Sequence, residues 1–370
     1  MAEDPPPQLK AIIPWEGFNE LGPGGGFGGI PEVGFVAWIG EQWMRPSINQ
    51  EAEGPEPAIR AWTYDLEAID IPALVCGSFS DQELHTWDTL EAFMRMRSAD
   101  KWLYSHRRQK WGAYYGRGEL AVQKRFLDRF LKGESDAMAG VPRVRLEVHE
   151  RRFDYKVVEA DAWPLPDTDY QPLYLDARDG SLGHDRAAQA EEAEFTANPE
   201  EPANRAVFDH RFAHDTDLIG YMALRLWVEL EDVDDIDLFV GVEKLDREGN
   251  EVYFFSGSGG NPNGPVSRGW LRVSRRALDP TRSTDWHPYP ARGVEQPLSA
   301  GEIVPVDIAV MPSGTTFREG ERLRLVIQGW SADGQFDDGA QTAWDRVATG
   351  RCRIHTGGDR PSRLLVPVVG

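Results

Sequence analysis

The hydrophobic pattern changes period once along this chain, near residues 135–140, and that single change restricts the fold more than any other feature. Before it, strand-like and helix-like runs alternate. Ile71 to Cys76 is a short, almost unbroken apolar run closed by Gly77, the pattern of a strand buried on both faces of a parallel sheet. Trp87, Leu90, Phe93 and Met94 then fall on one helical face. Lys101 to Tyr104 reads as a second strand, and Leu120 to Leu131 as a second helix that Gly133 is placed to end. Strand, helix, strand, helix predicts a parallel sheet with right-handed crossovers.

After the change the period is two. Val144, Leu146 and Val148 alternate with Arg143, Arg145 and Glu147, and Met222, Leu224, Leu226 and Val228 with Ala223, Arg225 and Trp227. Further alternating runs cover Leu238 to Val242, Val304 to Val310 and Leu323 to Ile327. Strands of this kind bury one side and wet the other, which predicts an antiparallel β-sandwich. Clusters such as Asp246 to Asn250 and Pro312 to Gly314 are the expected breaks between its strands. The reading is therefore α/β plus all-β, with residues 1–137 in the first unit and 138–370 in the second.

Length and charge fit two such units and narrow the partners. The chain has 370 residues, roughly two domains' worth, and 40 Lys+Arg against 61 Asp+Glu give a net charge of −21. That charge repels phosphate backbones and anionic membranes, so no nucleic acid and no membrane partner is expected. The N-terminal residues lack the basic and apolar regions of a secretory signal. Two cysteines, Cys76 and Cys352, are too few for a disulfide framework, and a cytoplasmic setting is expected.

In open parallel sheets reactive groups collect where strands end. Gly77-Ser78-Phe79-Ser80-Asp81 follows the first strand, and Ser105-His106-Arg107 the second. An Asp and a His thus leave neighbouring strands one helix apart, as the last two members of a Ser…Asp…His triad do. The plainer alternative makes Asp81 an N-cap and His106 a surface loop residue.

The run Leu9-Lys10-Ala11-Ile12-Ile13-Pro14-Trp15-Glu16-Gly17, the glycines of Gly25 to Ile30, Leu131-Lys132-Gly133, Trp163 to Pro166, Arg268 to Arg276 and Phe317 to Leu325 together resemble the cocaine-esterase and X-Pro dipeptidyl-peptidase group of α/β hydrolases. The resemblance implies the C-terminal half of an α/β-hydrolase domain with a helical cap at about 17–66, followed by a jelly-roll, galactose-binding-like β domain. It places the triad carboxylate at Asp81 and the imidazole at His106, where Leu103-Tyr104-Ser105-His106-Arg107 stands for the family's Gly-Pro-Trp-Ser-His type of run. Trp15, Trp38, Trp43 and Trp111 become substrate-pocket walls. The implied activity is cleavage of a small ester, amide or X-Pro peptide substrate through an acyl-enzyme, without a cofactor.

One element of the pattern is not found. No G-x-S-x-x-G string stands where a strand-to-helix elbow is expected: Gly133-Glu134-Ser135 lacks the last glycine, and Gly329-Trp330-Ser331, which is followed by Gly334, comes after the alternating run Leu323 to Ile327 of the β unit. The expectation is a chain whose nucleophile lies in a segment preceding Pro5, inactive alone and prone to self-association through the sheet edge thereby exposed. The rival expectation is a non-catalytic β-sandwich binding module supported by an α/β remnant. The acidic run Glu231 to Asp237 reads as a solvated turn, His184, Asp185, His210 and His214 have no metal-ligand spacing, Phe255 to Asn261 reads as a hairpin loop, and Trp163, Trp227 and Trp270 sit in strand contexts.

Overall fold

A computed structural model describes residues 2–17, 27–30, 64–198, 204–257, 260–291, 293–330, 347 and 349–370. Three strands carry the α/β part: β1 (Ala73–Ser78), β2 (Lys101–His106) and β3 (Val144–His149). β1 lies parallel to β2 with Ser78 opposite His106, and β2 lies parallel to β3. The segment 12–16 adds along the other side of β1, again parallel. The Cys76 N–H donates to the Pro14 carbonyl (2.9 Å) and the Glu16 N–H to the Cys76 carbonyl (2.7 Å). All four segments therefore end on the same side.

β3 differs from its expected one-sided burial. Glu147 and His149 on its supposedly wet face are both 0% exposed, because β3 is a member of the parallel sheet and Arg108 covers that face by reaching Glu147.

Helix α1 (Thr86–Arg95) connects β1 to β2. It buries Trp87, Leu90 and Phe93 against Ala73, Val75 and Leu103. The opposite face of the sheet, with Leu74, Cys76, Trp102 and Tyr104, packs on Phe126 of α3 (Arg117–Lys132). α3 ends at Gly133, whose φ of 77° lies in the left-handed region and whose N–H bonds the Asp128 carbonyl. The short turn Phe27–Gly29 sits on the far unit: a Cβ at Gly28 (φ 61°) would lie 1.9 Å from the Trp270 carbonyl oxygen, so only glycine lets the two backbones approach this closely.

The β part is a ring, antiparallel at every junction except the one where Ser181 pairs parallel with Asp209. Among the described residues nine strands follow one another around it: Ile303–Phe317, Ser267–Arg272, Asp237–Leu245, Arg322–Gln328, Ala206–Arg211, Ser181–Gly183, Asp169–Asp176, Arg363–Val369 and Thr216–Leu230, the last pairing back to the first. Their inward residues, Leu224, Val242, Ile308 and Leu325 among them, form the larger core. Pro312 to Gly314 does not separate two strands. It is a bulge within Ile303–Phe317, absorbed by a register shift between Val310 and Ser313. Glu231 to Asp237 does form a connection, and Asp235 accepts the Ser274 N–H at 2.8 Å. Among the described residues no helix is long and apolar enough to cross a membrane.

The two parts meet across α1, where Trp87 stacks on His287 with ring centroids 4.4 Å apart. Burial, reinforced by the Arg282 charge, pulls the His287 pKa from 6.5 down to about 3. A histidine held neutral in the fold takes up a proton on unfolding throughout that interval. Its contribution is complete above pH 6.5 and is lost as pH falls towards 3. Urea unfolding at pH 7, 6 and 5 is expected to show stability falling with pH. His287→Phe, which keeps the stack, is expected to flatten that dependence by up to about 1.4 kcal/mol per pH unit. An unchanged slope would refute the assignment.

Candidate functional site

The four parallel ends bring one set of side chains together. His106 is the last residue of β2, Asp81 stands three residues beyond β1, and Glu16 ends the segment 12–16. Their side chains are 0%, 1% and 0% exposed. The Phe79 N–H donates to the His106 carbonyl (2.8 Å), tying the two loops together just past the strands.

Glu16 occupies the centre. One of its oxygens lies 3.1 Å from His106 Nε2 and the other 3.3 Å from Lys110 Nζ, the first residue of α2 (Lys110–Tyr114). The backbone at Glu16 has φ 50°, a conformation uncommon outside glycine and one that marks a constrained site. On the other side of the ring, His106 Nδ1 accepts the Arg108 N–H at 3.2 Å. These two contacts assign the Nε2-protonated tautomer to the imidazole.

Asp81 is close but makes a different set of contacts. Its carboxylate oxygens have no hydrogen-bond partner among the described residues; the neighbouring nitrogens are His85 Nε2 at 3.8 Å and Lys110 Nζ at 4.0 Å. Neither reading made from the sequence describes it fully. His106 is wholly buried, not a surface loop residue, and α1 begins after His85 without a side-chain cap. Equally, no hydrogen bond joins Asp81 to His106 in this arrangement, because Glu16 stands at Nε2 and a backbone amide at Nδ1.

The two carboxyl groups are pushed in opposite directions. Burial raises the pKa of Glu16, but the His106 hydrogen bond and the His106, Lys110 and His85 charges outweigh it and hold the group below its usual value. Burial raises Asp81 well above its usual value, and the Glu16 charge raises it further against the pull of Lys110. His85 is drawn down to about 4 by burial and by Lys110. An ionised carboxylate on an imidazole, beside a carboxyl held towards its neutral form, is a set of groups whose proton affinities differ enough to divide acid and base roles.

A second buried network supports the first. Arg108, whose amide holds His106 Nδ1, places its guanidinium 2.6 Å from Glu119 and 2.8 Å from Glu147, and donates to the Tyr104 hydroxyl at 3.1 Å. Burial acts to raise the pKa of Glu147, but the His149 hydrogen bond and the Arg108 and His106 charges bring it to about 2.

Of the aromatic residues expected to line a pocket, Trp15 is 6.0 Å from the His106 ring and 5.1 Å from the Tyr114 ring, centroid to centroid. Trp111 is 64% exposed, with Lys110 Nζ 6.0 Å from its ring centroid. Trp38 and Trp43 lie outside the described residues. The sequence reading gave no role to Glu16 or Lys110. Applying the strand-end rule to Ile12 to Trp15 would have singled out Glu16.

Comparison with known proteins follows the same outline. Residues 137–365 match the family model described as the X-Pro dipeptidyl-peptidase C-terminal non-catalytic domain. Cocaine esterase from Rhodococcus sp. is 25% identical over 290 residues, which is 67% of this chain and 45% of that esterase, so the chain spans less than half of the esterase's length. A CocE/NonD family hydrolase from Staphylococcus aureus is 38% identical over all of this chain and 69% of its own, with a TM-score of 0.94. An α-amino acid ester hydrolase structure shares the fold at 16% identity and a TM-score of 0.66, covering 100% of this chain and 74% of that one. The parallel-sheet half and the β ring are thus found together in a solved relative, and the chain belongs to the CocE/NonD hydrolase family, with an X-Pro dipeptidyl-peptidase type C-terminal domain.

Proposed function

We propose that this chain is the proton-relay portion of a serine hydrolase that cleaves an ester or amide bond of a small substrate through an acyl-enzyme. The observation that carries the reading is the convergence of Glu16, Asp81, His106 and Lys110 at the ends of adjacent parallel strands. His106 is the general base, taking the nucleophile's proton and returning it to the leaving group, and Asp81 is the carboxylate that orients it. Glu16 holds Nε2 in the arrangement described here, so a serine reaching the ring displaces that contact and leaves Glu16 to Lys110. The ring proton passes from Nε2 to Nδ1, and Asp81 takes the place of the Arg108 amide there, which frees Nε2 to accept the serine's proton.

Among the described residues neither ring nitrogen of His106 meets a serine hydroxyl. In this reading the nucleophile is a serine brought to the ring from elsewhere in the hydrolase. The two free, buried cysteines support a reducing, cytoplasmic setting. In the β ring two junctions rest on a single residue pair each, Gly269 with Val310 and Ser181 with Asp209, which supports viewing the ring as a flattened jelly roll of two layers.

The test is hydrolysis of a p-nitrophenyl ester by the chain alone and by the chain joined to the part of the Staphylococcus aureus hydrolase that it does not cover. Turnover is expected only from the joined protein. Turnover by the chain alone that His106→Ala abolishes would overturn the external nucleophile; equal turnover by the joined protein with and without His106→Ala would overturn the relay.

A further inference from the structure

The β domain of this family carries a description as non-catalytic, yet the two loops that bear Asp81 and His106 are both fastened to it. Arg107 follows His106 directly and is 1% exposed. Its guanidinium donates to the carbonyls of Pro265 and Val266 (the latter at 2.9 Å) and to Ser313 Oγ at 3.2 Å, and lies 4.3 Å from the centre of the Phe254 ring. Gln82 follows Asp81 directly. Its amide donates to the Phe79 carbonyl at 3.0 Å and to that same Val266 carbonyl at 3.1 Å.

One backbone oxygen therefore accepts from both loops. A third crossing runs the other way: Arg268, from the Arg268 to Arg276 motif, lies 3.7 Å from Glu83 and donates to Ser256 Oγ at 2.9 Å. The Gly257 N–H closes the seam on the Ser80 carbonyl at 2.8 Å. Arg107 is a buried cation held by neutral oxygens, and removal of a guanidinium from water is costly unless its donors are met. A fork with several fixed donors defines orientation better than a point charge does. Burial together with the Arg268 charge draws its pKa down to about 9.

We infer that the segments 254–257 and 260–268 of the β domain form a positioning element for the relay, with the Val266 carbonyl as its hub and Arg107 and Gln82 as the positioning residues that register the His106 ring against Glu16 and Asp81. The inference rests on the reading of Asp81 and His106 as the relay, but its test does not use activity, so failure to reconstitute an esterase would leave it standing.

The experiment is nitrogen NMR of the full chain labelled at histidine, comparing Arg107→Met, Arg107→Lys and Gln82→Met with the parent. The parent is expected to show His106 as a single Nε2-protonated tautomer. In Arg107→Met and Gln82→Met the two His106 ring signals are expected to move towards the average of both tautomers, with those of His184 and His355 unmoved. Arg107→Lys, which retains charge without the fork, is expected to fall between. A merely structural role would lower the unfolding temperature without moving the His106 lines. The inference is overturned if folded variants keep the parental His106 pattern. It is also overturned if all three fail to fold, since the contacts then serve stability of the whole. If only Arg107→Met fails, Gln82→Met decides.

Discussion

In the joined enzyme, His106→Ala is expected to lower kcat by about 10⁴- to 10⁶-fold, and Asp81→Asn by about 10⁴-fold. Among the described residues nothing else at the strand ends replaces the imidazole. Lys110 is committed to Glu16, and burial keeps His85 unprotonated down to about pH 4, beside Asp81 and 3.3 Å from the Gly17 carbonyl at its Nδ1. The carboxylate variants separate two geometries. If Asp81 orients His106 during turnover, Asp81→Asn is the larger loss and Glu16→Gln the smaller. If the Glu16 contact seen here persists, the order reverses. Steady-state hydrolysis of a p-nitrophenyl ester by the three variants decides it, and a His106→Ala enzyme within tenfold of its parent would refute the relay.

The second large effect is on stability. Lys244 has a side chain with 0% exposure, and its ammonium lies 2.7 Å from Glu321 and 2.8 Å from the carbonyls of Glu150 and Thr316. Burial lowers its pKa against the Glu321 hydrogen bond and charge, which raise it. Glu321 in turn accepts the Arg318 N–H at 2.8 Å. Taking away one member of a buried pair leaves the other charged without compensation, at a cost of about 3–5 kcal/mol. Glu321→Ala is therefore expected to lower Tm by roughly 10 °C. The double variant Lys244→Met with Glu321→Leu is expected to recover at least half of that loss, because an apolar pair of similar volume has no charge to desolvate. A Glu321→Ala protein within about 1 kcal/mol of the parent would show that the pair is screened.

What the sequence revealed depended on how local its cause was. Asp81 and His106 could be read because short apolar runs announce buried parallel strands, and the residues just beyond such strands are few. α1 and α3 were legible from their spacing and from Gly133. Glu16 was not, although it lies within a quoted run: segment 12–16 pairs through only a few bonds around Pro14, so its strand character depends on β1 beside it. The burial of Glu147 escaped for a related reason. Alternation reports one dry face and one wet face, but Arg108, from a distant loop, dries the second. The Pro312 to Gly314 cluster looked like a turn because composition shows where a backbone can bend, not whether a partner strand has absorbed the bend as a bulge. Arg107 and Gln82 follow the candidate residues directly, yet their acceptor lies more than a hundred residues away, and no spacing rule spans that distance.

The ring of nine strands also constrains how the protein is made. Arg363–Val369 is the piece that joins Asp169–Asp176 to Thr216–Leu230, so a nascent chain cannot close the circle until translation has passed it. Until then two long edges wait unpaired on the ribosome, a state in which contacts far apart in sequence form slowly and sticky surface stays open. Yield in a cell should accordingly depend on chaperone supply, and a stop codon before Arg363 should give inclusion bodies while leaving the residues of the relay intact in sequence.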